Sequence, residues 1–156
     1  PKIWQEDEIA IFCGAQFTQW TPKNLSDPKE TFIGGSEEAI IRMSQELTKL
    51  GWKIVVYADP GIDNEGDYDG VRYYPYYKFN SFDSFNILIA WRQPKFFSQD
   101  LKAKKKYVWL HDIQNPLDYD EKSIANATKF IFLSKWHRSN VEKLPEDKVW
   151  ISSNGI

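Results

Sequence analysis

Apolar residues along this chain recur in two patterns, one typical of buried strands and one typical of a helix. Seven short runs are almost continuously apolar, as in strands that are covered on both faces of a parallel sheet. The runs span residues 8–13, 53–57, 71–74, 86–91, 106–110, 129–133 and 149–151. This pattern predicts an α/β domain with a mainly parallel sheet of about seven strands.

The segment between the first two runs has helical spacing. Its apolar positions form one face of an amphipathic helix: Ala39, Ile40, Met43, Leu47 and Leu50. Ser36 is the predicted N-cap, and Gly51 ends the helix as a left-handed cap. Weaker helical patterns cover residues 96–103, 120–127 and 135–143. Because helices alternate with strands, we expect a three-layer, Rossmann-like domain with helices on both faces of the sheet.

A glycine pair at the start of the first helix is a candidate binding loop. Gly34 and Gly35 let the backbone approach a ligand, and the first helical amides carry a partial positive charge that suits a phosphate or a sugar hydroxyl. Glu37 and Glu38 repel a phosphate, so they fit a sugar hydroxyl or another domain better. The same residues, with Ser36, are also typical of a well-capped helix start that binds no ligand. A glycine pair indicates a binding site less specifically than the full dinucleotide fingerprint does.

Polar and titratable side chains follow four of the predicted strands. Doubly wound sheets bind ligands beyond the carboxyl ends of their strands. The residues at these positions include Gly14, Arg92, Gln93, His111, Asp112, Gln114, Ser134, His137 and Arg138. A loop that only turns could use Gly, Ser and Pro, so these side chains favour a function. We expect Gly34, Gly35, Arg92, His111 and Ser134 to converge on one cleft.

Composition and charge narrow the function classes. The chain has 156 residues, 42% of them hydrophobic, which is enough for one domain with a sizeable core. A net charge of -2 gives no electrostatic footprint for nucleic acid, and the basic run 102–106 is interpreted as a solvated face. The single cysteine, Cys13, excludes an internal disulfide and favours a reducing compartment. No apolar run reaches about 20 residues and no signal peptide opens the chain, which predicts a cytoplasmic protein without a transmembrane segment.

Five motifs in order carry a resemblance to a known family. They are G-G-S-E-E-A, A-W-R-Q-P, W-L-H-D-I, F-L-S-K-W-H-R and the closing S-N-G-I. The chain resembles the amino-terminal half of retaining glycosyltransferases of the GT-B type, glycosyltransferase group 1 (family four). The resemblance implies that residues 1–156 are one Rossmann-like, acceptor-side domain, cut at the linker N-G-I before a donor-binding domain in cis. The implied activity is metal-independent sugar transfer from a nucleotide sugar to a glycan acceptor, with the fragment alone inactive.

The resemblance also assigns roles to individual residues. Gly34 and Gly35, with Ser36 and Glu37, match the glycine-rich loop near the donor phosphates. His111 matches the histidine that faces the transferred sugar, and its alternative role is to satisfy a buried loop.

The neighbouring strand ends supply the other implied site residues. Asp112 either orients His111, contacts the acceptor or caps a turn. Arg92 either anchors an acceptor carboxylate or phosphate or forms a salt bridge. Gln114, Ser134 and His137 are candidate acceptor or cleft contacts, with a structural role open for His137 and an N-cap role for Ser134.

No cofactor is expected to bind tightly, and a UDP- or GDP-sugar is the implied co-substrate. The motif Asp-Tyr-Asp occurs at 67–69 and 118–120, but neither copy follows a predicted strand, as a metal site of the GT-A type requires. Glu38 and Glu46 have the spacing of the family's donor-binding glutamates but lie in the wrong domain. We therefore expect no metal site.

Two alternative functions are also consistent with the sequence. One is an independent nucleotide- or dinucleotide-binding module, for which Asp59 is the only acidic candidate at the end of the second strand. The other is a non-catalytic sugar-binding or interaction domain, which the many aromatic residues suit.

Overall fold

The computed structural model describes residues 1–15, 18–27, 29 and 33–152. Within them, eight strands form one sheet: β1 (Glu8–Phe12), β2 (Lys53–Ala58), β3 (Gly66–Tyr68), β4 (Val71–Pro75), β5 (Ser84–Trp91), β6 (Lys102–Trp109), β7 (Lys129–Phe132) and β8 (Val149–Ile151). Their order is β3-β4-β2-β1-β5-β6-β7-β8. Every neighbouring pair is parallel except β3 and β4. The mainly parallel sheet is therefore confirmed, with one strand more than expected.

The additional strand, β3, comes from the first Asp-Tyr-Asp motif. Asp67 and Tyr68 pair with β4, whereas no strand was predicted over residues 67–69. The turn itself is Asp69 and Gly70, both with positive φ (53° and 82°). Asp-Gly with two positive φ angles is a favoured two-residue hairpin turn, which explains the short antiparallel strand.

Four helices are present in the described part of the chain: α1 (Lys23–Ser26), α2 (Gly35–Lys49), α3 (Glu121–Asn126) and α4 (Lys135–Ser139). None of them combines the length and apolar character that a membrane span requires.

The predicted start of α2 was wrong and its predicted end is confirmed. Gly34 is the N-cap and has no side chain to cap the helix, so Ser36 lies inside the first turn. At the other end Gly51 has φ of 101°. Its N–H donates to Thr48 O and the Trp52 N–H donates to Leu47 O, which is the Schellman pattern.

Two other helix predictions also need correction. Residues 96–103 form a 3-10 turn, Phe96–Ser98, followed by β6, because Lys102 onward pairs with β5. The predicted helix 135–143 ends early at Ser139. The Asn140 side chain donates to Trp136 O and His137 O, which occupies carbonyls that a longer helix needs.

The apolar core divides into two clusters on opposite sides of the sheet. Ile9 and Ile11 belong to one cluster and Ala10 to the other, as the alternation of side chains along a strand requires. Helix α2 packs on the first side through its buried apolar residues, and Ile124 of α3 packs on the second. The protein is thus a mixed α/β domain with an open sheet, broadly Rossmann-like, with only four helices in the described residues.

An aromatic cluster takes the place of a helix between β4 and β5. The connection carries Phe79, whose ring lies 4.9 Å from Phe12, 5.4 Å from Tyr57, 5.2 Å from Phe85 and 5.9 Å from Phe96, measured between centroids. Rings at these distances bury a large apolar area without regular structure.

The strand order creates a switch point at the centre of the sheet. The chain runs outward from β1 to β2 and β4, then returns to β5 on the other side of β1 and continues to β8. The connection after β1 and the connection after β5 leave in opposite directions, which opens a crevice at the carboxyl ends of these two strands. Open α/β sheets bind ligands in such a crevice.

Candidate functional site

A cleft of about 520 Å³ lies at this switch point. Four segments line it: the residues after β1, the start of α2, the residues after β5 and the loop after β6. The polar or charged side chains on its surface are Thr18, Glu37, Arg92, Gln93, Asp112 and Gln114, together with the indoles of Trp20 and Trp91. A polar cleft at a switch point is the expected position of a ligand site in this fold class.

Arg92 and Asp112 form an ion pair in the cleft. The Arg92 Nε–H donates to Asp112 Oδ2 at 2.5 Å, and the guanidinium lies 5.0 Å from the centroid of the Trp91 ring. Arg92 has φ of 62°, a left-handed conformation that is uncommon outside glycine and often found at functional sites. The salt bridge that the sequence left open for Arg92 is therefore present.

The start of α2 contributes backbone and a carboxylate to the cleft. Gly34 and Glu37 line it. A Cβ built at Gly34 would lie 2.9 Å from Glu37 Oε2, so the glycine leaves room for the folded-back carboxylate. Since Gly34 cannot cap the helix with a side chain, the first amides of α2 have no such acceptor.

His111 lies between two tryptophans at the margin of the cleft. Its ring centroid is 4.5 Å from that of Trp109 and 6.0 Å from that of Trp91, which itself lines the cleft. Both ring nitrogens are buried and have no hydrogen-bond partner within the part of the chain that the structure describes. Burial, and then the neighbouring Arg92 guanidinium, lower the pKa of His111 to about 4, so the imidazole is neutral at pH 7.

Asp112 does not orient His111 through a hydrogen bond. Its carboxylate accepts from Arg92, while the imidazole nitrogens of His111 stay unpartnered. Of the three roles that the sequence left open for Asp112, a hydrogen bond that orients His111 is therefore not present. The acceptor contact proposed for Asp112 stays a prediction.

His137 and Ser134 lie outside the cleft lining. Ser134 is the N-cap of α4, as predicted: its Oγ accepts the His137 N–H at 3.0 Å. His137 is 6% exposed. Its Nδ1 accepts the Leu133 N–H at 3.2 Å, and its Nε2 lies 2.7 Å from Asp112 O.

The predicted site residues divide into two groups. The cleft brings together Gly34, Glu37, Arg92, Asp112 and Gln114. Gly35, Ser36, His111, Ser134 and His137 are near its segments but do not line it. The motif Asn154-Gly155-Ile156, interpreted as an interdomain linker, lies outside the described residues.

The sequence missed the two tryptophans that line the cleft. Trp20 and Trp91 are each 2% exposed, and neither indole N–H group has a hydrogen-bond partner among the described residues. Buried donors without partners are uncommon in folded proteins. Trp91 ends a predicted strand, which was a usable signal. Trp20 lies in a long polar and aromatic segment whose path the sequence does not specify.

Among the described residues, no group of three or more His, Cys, Asp and Glu side chains is arranged to hold a metal ion.

Comparisons of the chain with models of protein families, with curated proteins and with solved structures found no match.

Proposed function

We propose that this chain is the acceptor-side domain of a retaining, metal-independent GT-B glycosyltransferase that transfers a sugar from a UDP- or GDP-sugar to a glycan acceptor. The observation that carries the proposal is the polar cleft at the switch point between β1 and β5. In this proposal the domain is the three-layer, Rossmann-like half of a cytoplasmic two-domain enzyme, and the second half binds the nucleotide.

The side chains in the cleft suit a sugar better than a polyphosphate. Glu37 and Asp112 supply carboxylate acceptors, Gln93 and Gln114 supply amides, and Arg92 supplies donors beside Asp112. Paired donors and acceptors match the vicinal hydroxyls of a sugar ring. Two carboxylates against one guanidinium leave the charged groups of the cleft with a formal excess of negative charge, which opposes a bare diphosphate.

The neutral imidazole of His111 fits the role that the resemblance assigns to it. A neutral ring can donate one hydrogen bond to a sugar hydroxyl and accept another. In a front-face transfer the acceptor oxygen attacks C1 from the side on which the nucleotide leaves. A fixed hydrogen-bonding group next to the oxocarbenium-like centre stabilises that transition state. Among the described residues, the two buried ring nitrogens of His111 have no hydrogen-bond partner. His111 lies beside Trp91 at the margin of the cleft, so in this proposal domain closure brings the imidazole to the sugar.

Exposed apolar side chains near the cleft support a partner domain in cis. Ile113 is 55% exposed, Leu117 78% and Trp136 68%. Ile113 and Trp136 are the chain neighbours of Asp112 and His137, whose hydrogen bond joins the loop after β6 to α4. Closure of a donor-binding domain over this edge would bury these side chains and exclude water from the cleft.

The test is sugar transfer by the full-length protein. A panel of UDP- and GDP-sugars is offered with mono- and disaccharide acceptors, and the anomeric configuration of the product is read by NMR. We expect transfer with retention, and none by residues 1–156 alone. Inverted products, or transfer by residues 1–156 alone, would contradict the proposal.

A nucleotide-binding module is the second candidate, and the uncapped start of α2 in the cleft favours it. Asp59 follows β2 but does not line the cleft. Titration of residues 1–156 with NAD⁺, ATP and UDP separates the two functions. The acceptor-side function predicts weak binding of all three, whereas micromolar binding of one would favour the module.

A further inference from the structure

We infer that His137, a buried residue outside the cleft, is the positioning residue that holds the Arg92–Asp112 pair in place. Its effect on ligand binding rests on the proposed function of the cleft. The positioning itself rests only on contacts within this chain, so the two can fail separately.

The hydrogen bonds of His137 define the tautomer of its neutral ring. Nδ1 accepts the Leu133 N–H at 3.2 Å, so Nδ1 carries no proton in the neutral ring. The proton is then on Nε2, which donates to Asp112 O at 2.7 Å. The ring of Phe132 packs edge-on against the imidazole with centroids 5.1 Å apart, and the N-cap Ser134 fixes the His137 backbone. The donor is thus held at the start of α4.

The loop that receives this hydrogen bond has few other anchors. Residues 111–114 follow β6, and among the described residues none of them makes a backbone–backbone hydrogen bond. Two side-chain contacts tie the loop to Arg92: the Asp112 carboxylate accepts from Nε at 2.5 Å, and Gln114 Nε2 lies 3.5 Å from Arg92 O. His137 therefore supplies the hydrogen bond that connects this loop to the next strand–helix unit.

Arg92 in turn depends on the loop for its direction. Its left-handed backbone is held by the Arg92 N–H, which donates to Trp109 O at 2.8 Å, and the side chain is oriented by Asp112. When Asp112 shifts, the guanidinium loses its only described carboxylate partner. Loss of the His137 hydrogen bond should therefore shift Asp112 and, through it, the Arg92 guanidinium in the cleft.

Two substitutions separate positioning from a local role at α4. His137→Asn keeps an acceptor near the position of Nδ1 for the Leu133 N–H but loses the donor to Asp112. His137→Gln can place an amide N–H near the position of Nε2 but loses the acceptor near Nδ1. Positioning predicts that Gln rescues and Asn does not, and a local structural role predicts the reverse.

The readout is hydrogen exchange of the Arg92 Nε–H by ¹⁵N NMR on the whole chain. We expect exchange at least ~10-fold faster in His137→Asn, as for a lost hydrogen bond, and near wild-type exchange in His137→Gln. The matched internal control is Arg72, which is paired with Glu65 and Asp67 at the far side of the sheet and should not change. Wild-type exchange at Arg92 in a folded His137→Asn protein would overturn the inference.

A measurement on the wild-type chain tests the same inference without a variant. Long-range ¹H–¹⁵N spectra report which imidazole nitrogen carries the proton. We expect the Nε2–H form for His137, and the Nδ1–H form would overturn the inference, since that form has no donor for Asp112. Neither readout uses a sugar, so both are independent of the outcome of the transfer assay.

Discussion

At the residue scale, His111 makes the stability of the domain depend on pH. Its pKa falls from the usual 6.5 to about 4 on folding because burial, and then Arg92, disfavour the charged ring. Between these values the unfolded chain binds more protons, so the free energy of unfolding falls as the pH drops from 6.5 toward 4 and is constant above 6.5. Since His111 is only half-buried as a residue, we expect a loss of only ~1–2 kcal/mol.

The measurement is urea denaturation at about pH 7.5 and about pH 5, above the range where most carboxylates titrate. His111→Phe keeps a ring between Trp91 and Trp109 and removes the titrating group. The variant should lose less stability than the wild type between the two pH values. Equal losses in both proteins would show that the His111 pKa is not lowered by folding.

The second prediction at the residue scale concerns Gly14, which follows β1 and lines the cleft. Its φ is +76°, and a Cβ there would lie 3.3 Å from Gln93 Nε2 and 3.4 Å from the Phe12 ring. Gly14→Ala should lower the free energy of unfolding by ~1–2 kcal/mol, the usual cost of a left-handed non-glycine residue. Gly66→Ala is the matched control, since its Cβ meets nothing within 4 Å. Equal effects of the two substitutions in chemical denaturation would contradict the prediction.

The sequence predicted part of the cleft lining, but not the contacts between individual side chains. Parallel strands share one carboxyl edge, so the sequence predicted that five residues converge on one cleft: Gly34, Gly35, Arg92, His111 and Ser134. Gly34 and Arg92 line the cleft, and the other three do not. The ion pair between Asp112 and Arg92 could not be predicted in this way. It depends on the left-handed backbone of Arg92, which no sequence pattern specifies. Trp20 was missed for a related reason: its position is determined by a long loop rather than by a strand end.

At the scale of elements, helix α3 depends on the cap that Asp120 provides. Asp120 Oδ1 accepts the Ser123 N–H at 2.8 Å, and Oδ2 accepts from the Ser98 hydroxyl in the preceding 3-10 turn. These hydrogen bonds lower the pKa of Asp120. Asp120→Ala should reduce the free energy of unfolding by ~1–2 kcal/mol, whereas Asp120→Asn keeps a capping oxygen and should cost much less. Denaturation that ranks the two variants equally would argue against the cap.

The central strands β1, β2 and β5 could be predicted because they are largely buried on both faces, so their apolar runs are nearly continuous. The predicted helix 96–103 was wrong, and the basic residues from Lys102 to Lys106 were interpreted only as a solvated face. In the structure they belong to a strand whose backbone is satisfied by β5. Pairing with a distant strand overrides local preference at such positions.

At the scale of the whole molecule, the exposed edge next to the cleft predicts an interdomain surface. Trp136→Ser should lower the turnover of the full-length protein but change the free energy of unfolding of this chain by less than ~0.5 kcal/mol, as for an exposed side chain. Phe82→Ser is the matched control, because Phe82 is 80% exposed and precedes β5 at the opposite edge. Equal turnover in the Trp136 and Phe82 variants would place the partner domain elsewhere.

The most direct test of the account compares sugar turnover of the full-length protein with and without His111. We expect His111→Ala to lower turnover by roughly 10² to 10³, the effect of losing one group that stabilises transition-state charge, with a folded protein by circular dichroism. Arg42→Gln, on the exposed side of α2, is the control and should keep wild-type turnover. Wild-type turnover in a folded His111→Ala protein would show that His111 takes no part in the chemistry.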